Sequence, residues 1–179
     1  MNARIVSTIA AGLLAAGCVH LNRASDATAF RDPEVAMVLS VANLVEIREG
    51  NIARDRATAK AVKDFAAMMA ADHALQASKT ENALAKKEIP SADSDLSRQM
   101  DTDSGKQVAA LRALTGAEFD RAYMDRTIAF HRYVIETIDK TLKPAAKKKE
   151  VIAAVAETRA AEKKHLEKAE AIRSSVHPE

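Results

Sequence analysis

Apolar residues recur three and four positions apart through most of this chain, the spacing of an amphipathic helix, and a few polar residues fall inside the apolar stripes. Asp32-Pro33-Glu34 predicts a helix start: Asp accepts from free amides, Pro fits the first turn, and Glu suits the positive end of the dipole. The stripe Val38, Val41, Val45, Ile52 carries this first helix to about Ala57, with Glu49 inside its arc and Glu46 on the edge. Thr58 is the expected cap of a second helix, about Ala59 to Glu88, which stops before Pro90. It buries Val62, Phe65, Met69 and Leu84, with Asp72, His73 and Gln76 in or beside the same arc. Ile89 to Ser104, holding Pro90 and four aspartates, reads as a long connection, either a crossover or a loop. A short helix from about Gly105 to Leu114 follows, and Gly116 marks a break. A third long helix, about Ala117 to Leu142, buries Phe119, Tyr123, Val134 and Ile138 on the side that also holds Asp120 and His131. Lys143-Pro144 is its expected stop. The fourth, about Ala145 to Ser174, buries Val151, Val155, Leu166 and Ala169 around Glu162 and His165. The predicted fold is all-α: a four-helix bundle over residues 32–174 with a long connection between helices two and three, then a tail, 175–179.

The first residues break that pattern. Arg4 gives a positive start, Ile5 to Ala16 is an apolar run too short to span a bilayer, and small residues follow, so 1–17 reads as a signal peptide. Leu14-Ala15-Ala16-Gly17-Cys18 resembles a bacterial lipobox, and Cys18 is the only cysteine of the chain. Lipidation at Cys18 then makes a membrane the expected partner, through a polar tether, 18–31. Ordinary cleavage near Ala16 or Gly17, or a retained anchor, are the alternatives. Val19 in place of an aspartate after the cysteine tilts the expected location from the periplasm at large to the periplasmic face of the outer membrane.

Composition narrows the function by exclusion. A formal charge of +2, with four Phe, two Tyr and no Trp, does not support a nucleic-acid partner. There is no Gly-rich phosphate loop and no Gly-x-Ser-x-Gly elbow. Lys143, Lys147, Lys148 and Lys149 cluster at one expected turn, where they complement a helix C-terminus.

The inward polar residues carry the remaining chemistry. Imidazoles and carboxylates converging from several helices are what a metal site in a bundle requires, and His73, His131, His165, Glu46, Asp72 and Glu162 are its candidates, with a single transition-metal ion as the candidate cofactor. Glu162-x-x-His165 places both groups on one face, but Ala70 precedes His73 where a di-iron pair needs a second Glu. Met69, four before His73, with Met68 beside it, raises copper; the plainer reading makes both core filler. The competing reading of the histidines is a buried hydrogen-bond network. Counting from a turn at Pro144 sets His131 about 12 residues before it and His165 about 21 after, roughly 13 Å apart in height. That count favours smaller separate clusters, such as His73 with His165, over one centre.

Several of these residues also carry a family resemblance. Glu46-Ile47 with Gly50 and Ile52-Ala53, Val62-Lys63-x-Phe65-Ala66 with Met69 and Asp72-His73, Gly116-x-x-Phe119-Asp120-x-x-Tyr123, His131 and His165-Leu166 follow one another as in the bacterial exported family "domain of unknown function 4142". The resemblance covers about Asp32 to Ile172 and implies a ferritin-like bundle, with Glu46, Asp72, His73, Asp120, Tyr123, His131 and His165 as the characteristic polar positions. Two departures stand out: Glu49 where an apolar residue is usual, and Arg159-Ala160 in place of a Leu-Pro pair, which implies a straighter last helix. The family brings no settled reaction. Two functions stay open: an envelope interaction or stress-related module without enzymatic activity, and a protein that stores, buffers or senses iron, zinc or copper. A ferritin-like oxidase or peroxidase ranks third, because the paired Glu-x-x-His motif is incomplete.

Overall fold

The computed structural model describes residues 30–176, and among them there is no strand. The signal peptide, Cys18 and nearly all of the tether expected from the sequence lie outside the described residues. Five helices follow one another: α1 Asp32–Arg56, α2 Lys60–Ala85, α3 Asp95–Arg112, α4 Gly116–Thr137 and α5 Lys149–Val176. A π-helical turn, Ile138–Leu142, and a last turn, Lys143–Ala145, prolong α4.

Two apolar clusters fix the direction of each helix. One end of the bundle joins Val35 and Leu39 of α1, Leu84 of α2, Met100 of α3, Val134 of α4 and Val151 of α5. The other joins Ala53, Val62, Leu111, Phe119 and Ala169, again one from each helix. The chain therefore runs one way in α1, α3 and α5 and back in α2 and α4. α2 and α4 are parallel, and α3 is the crossover that joins them, lying against α1 and α4.

The expected connection over Ile89 to Ser104 is thus corrected: only the stretch before Asp95 is non-helical, and the short helix begins ten residues earlier than Gly105. Ser94 starts α3 by accepting from the Ser97 amide. Met100, Ser104, Val108 and Leu111 then form one buried stripe, whose spacing the aspartates around it obscured.

Pro144 does not end α4. It sits in the turn after the π-helical segment, and the chain leaves the helix only after Ala145. α5 then runs unbroken through the Arg159-Ala160 pair, and Arg159 holds Asp139 of the π turn with two bonds of 2.6 and 2.7 Å.

Long-range carboxylates replace local caps. Thr58 does not cap α2; the Asp120 carboxylate accepts from the Thr58 and Ala59 amides at 2.9 and 2.7 Å and from the Thr58 hydroxyl. Asp32 accepts from the Lys147 and Lys148 amides at the start of α5. Each satisfies helix N–H groups that have no intrahelical partner. Glu49 is buried against α4, where Arg126 donates to both its oxygens and Ser104 of α3 donates to one. Gly50 lets α1 and α2 touch: a Cβ there would meet the Ala66 carbonyl at 3.0 Å and the Ala70 amide at 3.2 Å. This close approach sits one helical turn from Glu46 and brings that side chain up to His73.

Candidate metal centre

Between the two apolar clusters each bundle helix contributes polar side chains to one layer: Glu46 from α1, His73 from α2, His131 from α4, and Glu162 and His165 from α5. His73, His131 and Glu162 are fully buried, and Glu46 and His165 are 5% and 8% exposed. The ring centroids stand 5.0 Å apart for His73 and His165, 5.8 Å for His131 and His165, and 6.2 Å for His73 and His131. One nitrogen from each ring lies within 4.8 Å of the others, and so do single donor atoms of Glu46, His73 and Glu162.

The expected separation of His131 from His165 is therefore wrong, chiefly because α5 starts at Lys149 and not at the Pro144 turn. With the helix continuing to Ala145, His131 lies 14 residues before its end, and His165 lies 16 residues after the start of α5. Those lengths differ by two residues, roughly 3 Å of rise, so both rings reach one level. The three histidines form one cluster, not two small networks.

Each ring has one nitrogen tied outward. His73 Nδ1–H donates to Asn43 Oδ1 at 2.9 Å, and the Asn43 amide is itself oriented by donating to the Leu39 carbonyl. His131 Nδ1–H donates to the Thr127 carbonyl at 2.6 Å, and His165 Nε2–H donates to Asp72 at 3.2 Å. These bonds set the tautomers and leave His73 Nε2, His131 Nε2 and His165 Nδ1 as lone pairs facing the layer. Those three nitrogens and all four oxygens of Glu46 and Glu162 are buried with no hydrogen-bond partner outside the layer. Some approach closely even so: Glu46 Oε2 is 2.9 Å from His73 Nε2, Glu46 Oε1 is 3.1 Å from His131 Nε2, and Glu162 Oε2 is 3.8 Å from His131 Nε2.

Burial governs the protonation of the layer. Loss of water pushes Glu46 and Glu162 well above the ordinary carboxylate range, and for Glu162 the neighbouring Glu46 charge adds to it. The same desolvation lowers His73 and His165 and takes His131 down to about 3, so the rings are neutral. Neutral imidazoles, and carboxyls once they release their protons, are groups that could hold a metal ion.

Five of the six candidates read from the sequence thus converge. Asp72 is half exposed and stands outside, orienting His165. Sequence reasoning missed Asn43 and Thr127, although each sits within one turn of a ligand candidate on its own helix. It also missed the bond from Gln76 to Thr158, 2.7 Å, which ties α2 to α5 beside the layer. The methionines are not part of it: Met69 belongs to the aromatic cluster with Phe65 and Tyr123, and the Met68 sulfur accepts from Lys168.

Fold and layer together define a class: an all-α bundle with a helical crossover whose core carries converging histidines and carboxylates. The chain belongs to the family Domain of unknown function (DUF4142), whose model matches residues 20–172. Among solved structures it is similar to the secreted protein DUF305 from Streptomyces coelicolor, with a TM-score of 0.67 and 15% identity, over 81% of this chain and 93% of that one. At that identity the likeness is one of fold. No curated protein matches the chain in sequence.

Proposed function

We propose that this protein is an exported metal-binding bundle that holds one transition-metal ion among His73, His131, His165, Glu46 and Glu162. The carrying observation is the convergence of three imidazole nitrogens and two carboxyl groups in one buried layer, with single donor atoms of His73, His131 and His165, and of Glu46, His73 and Glu162, within 4.8 Å of one another. Leaving a buried polar group unsatisfied costs about 1–3 kcal/mol, and the contacts of Glu46 with His73 and His131 still leave His165 Nδ1 without a partner. The same groups make a good coordination shell, with outer partners on all three rings. A register-fixing network, the plainer reading, leaves that nitrogen unaccounted for. For the same reason metal storage, buffering or sensing fits this chain better than an interaction module without a metal.

Export is supported by the signal-like segment with Cys18, by the secreted description of the Streptomyces coelicolor protein, and by the lack of any described helix long and apolar enough to cross a membrane. Lipid attachment at Cys18 would hold the bundle at the periplasmic face of a membrane, the outer one on the Val19 argument.

Equilibrium dialysis of the purified protein against Fe²⁺, Mn²⁺ and Zn²⁺ in turn, followed by elemental analysis, tests the binding. One ion per chain is expected, lost in His73→Ala; no retained metal in any case refutes it. For the anchor, Cys18→Ser should abolish labelling by radioactive fatty acid and release the protein from membranes. Unchanged labelling would exclude it.

A further inference from the structure

Resting on that reading, we infer that the centre is built for a five- or six-coordinate divalent ion of the ferrous or manganous class, and not for tetrahedral zinc or for copper(I). Donor number is the first ground. Structural zinc sites close with four ligands, whereas this layer directs three nitrogens and two carboxylates at one region.

Spacing is the second. Two donors at right angles on an ion with bonds of about 2.1 Å stand about 3.0 Å apart, and at the tetrahedral angle about 3.4 Å. Glu46 places one oxygen 2.9 Å from His73 Nε2 and the other 3.1 Å from His131 Nε2. Those two contacts are compatible with the right-angle edge, and Glu162 Oε2, 3.8 Å from His131 Nε2, would draw in on binding. Glu46 also presents both oxygens inward, which raises the coordination number further.

Charge and softness agree. The two carboxylates, once ionised, offset a charge of +2, and the rings add none. Among the described residues no sulfur joins the layer: Met68 is engaged by Lys168, Met69 and Met124 pack in the cluster with the aromatic rings, and Met100 packs at the other end. Copper(I) selects thiolate or thioether ligands, and mixed imidazole and carboxylate donors suit iron and manganese.

Affinity alone cannot test this, because nitrogen and oxygen sites generally bind zinc more tightly than iron or manganese whatever their shape. Cobalt(II) reports geometry directly: tetrahedral Co²⁺ absorbs intensely in the visible, and five- or six-coordinate Co²⁺ weakly. The full-length protein titrated with Co²⁺ should take up one ion per chain and show only weak bands. Uptake of one ion with intense tetrahedral bands would overturn the inference and leave the metal-binding reading standing. No uptake would overturn both. Glu162→Gln, nearly isosteric, should weaken Co²⁺ binding at least tenfold with the helical circular dichroism unchanged, and unaltered affinity would refute the five-donor shell. Should that variant lose helicity, His165→Ala at the rim of the layer is read in its place by the same criterion.

Discussion

Metal and protons compete for the same buried groups, so the stabilisation that metal confers should grow steeply with pH. Glu46 and Glu162 have folded pKa values raised by desolvation. Their contribution to stability is complete below about pH 4.5, the unfolded value, and is lost as pH rises through the folded values. The histidines act in the opposite sense: lowered in the fold, with His131 at about 3, they withdraw stability as pH falls below about 6.5. Above about pH 6.5 the rings no longer contribute, and any further loss of stability in the metal-free protein as pH rises belongs to carboxyls still protonated in the fold. A bound divalent ion removes that loss by taking the ionised carboxylates as ligands. Each carboxyl that sheds its proton on binding adds up to about 1.4 kcal/mol per pH unit to the metal increment. For a domain of this length that is about 3–6 °C per pH unit, on top of about 5–11 °C for a ligand held at 100 times its Kd. The assay is thermal unfolding by circular dichroism at pH 6.5, 7.25 and 8.0, with Mn²⁺ and with chelator. An increment that stays flat across this range, or a chelated protein that grows more stable toward pH 8, would refute the reasoning.

Other outcomes follow from single contacts. Asp72→Asn leaves His165 without its carboxylate partner and should weaken metal binding about 10–100-fold, read by competition with a chelating dye, with little change in the melting temperature of the metal-free protein. Arg126→Ala strands the Glu49 carboxylate in a buried site, and urea unfolding should show a loss of about 3–5 kcal/mol; a loss below 1 kcal/mol, the value of a surface pair, would show that Glu49 is hydrated. Asp120→Ala removes the cap of α2 and should cost about 1–2 kcal/mol, with hydrogen exchange accelerated in the first turn of α2. Gly50→Ala puts a methyl against the Ala66 carbonyl, and both metal affinity and melting temperature should fall, since α1 must move away from α2; unchanged values would mean that the contact relaxes freely.

Much of this protein was written in its linear pattern. The stripes around Val45, Phe65, Val134 and Val155 specify helices because apolar side chains three and four apart fall on one face, and the same periodicity placed His73, His131, Glu162 and His165 on inner faces and Glu46 at the edge of one. A residue's facing within a helix is a local property. Its height relative to a residue on another helix is not, because that depends on where each helix ends. The turn around Pro144 illustrates this: the helix continues through the proline to Ala145 and α5 begins only at Lys149, which brings His131 and His165 to one level. The pairing of Asp120 with α2, of Asp32 with α5 and of Glu49 with Arg126 spans more than sixty residues in each case. No local pattern signals a partner so distant. Sequence alone therefore determined the helical elements and the chemical kinds of group that face inward. The tertiary structure alone decided that five of them meet in one layer, because the register between helices is set by packing, crossover and caps contributed from elsewhere in the chain.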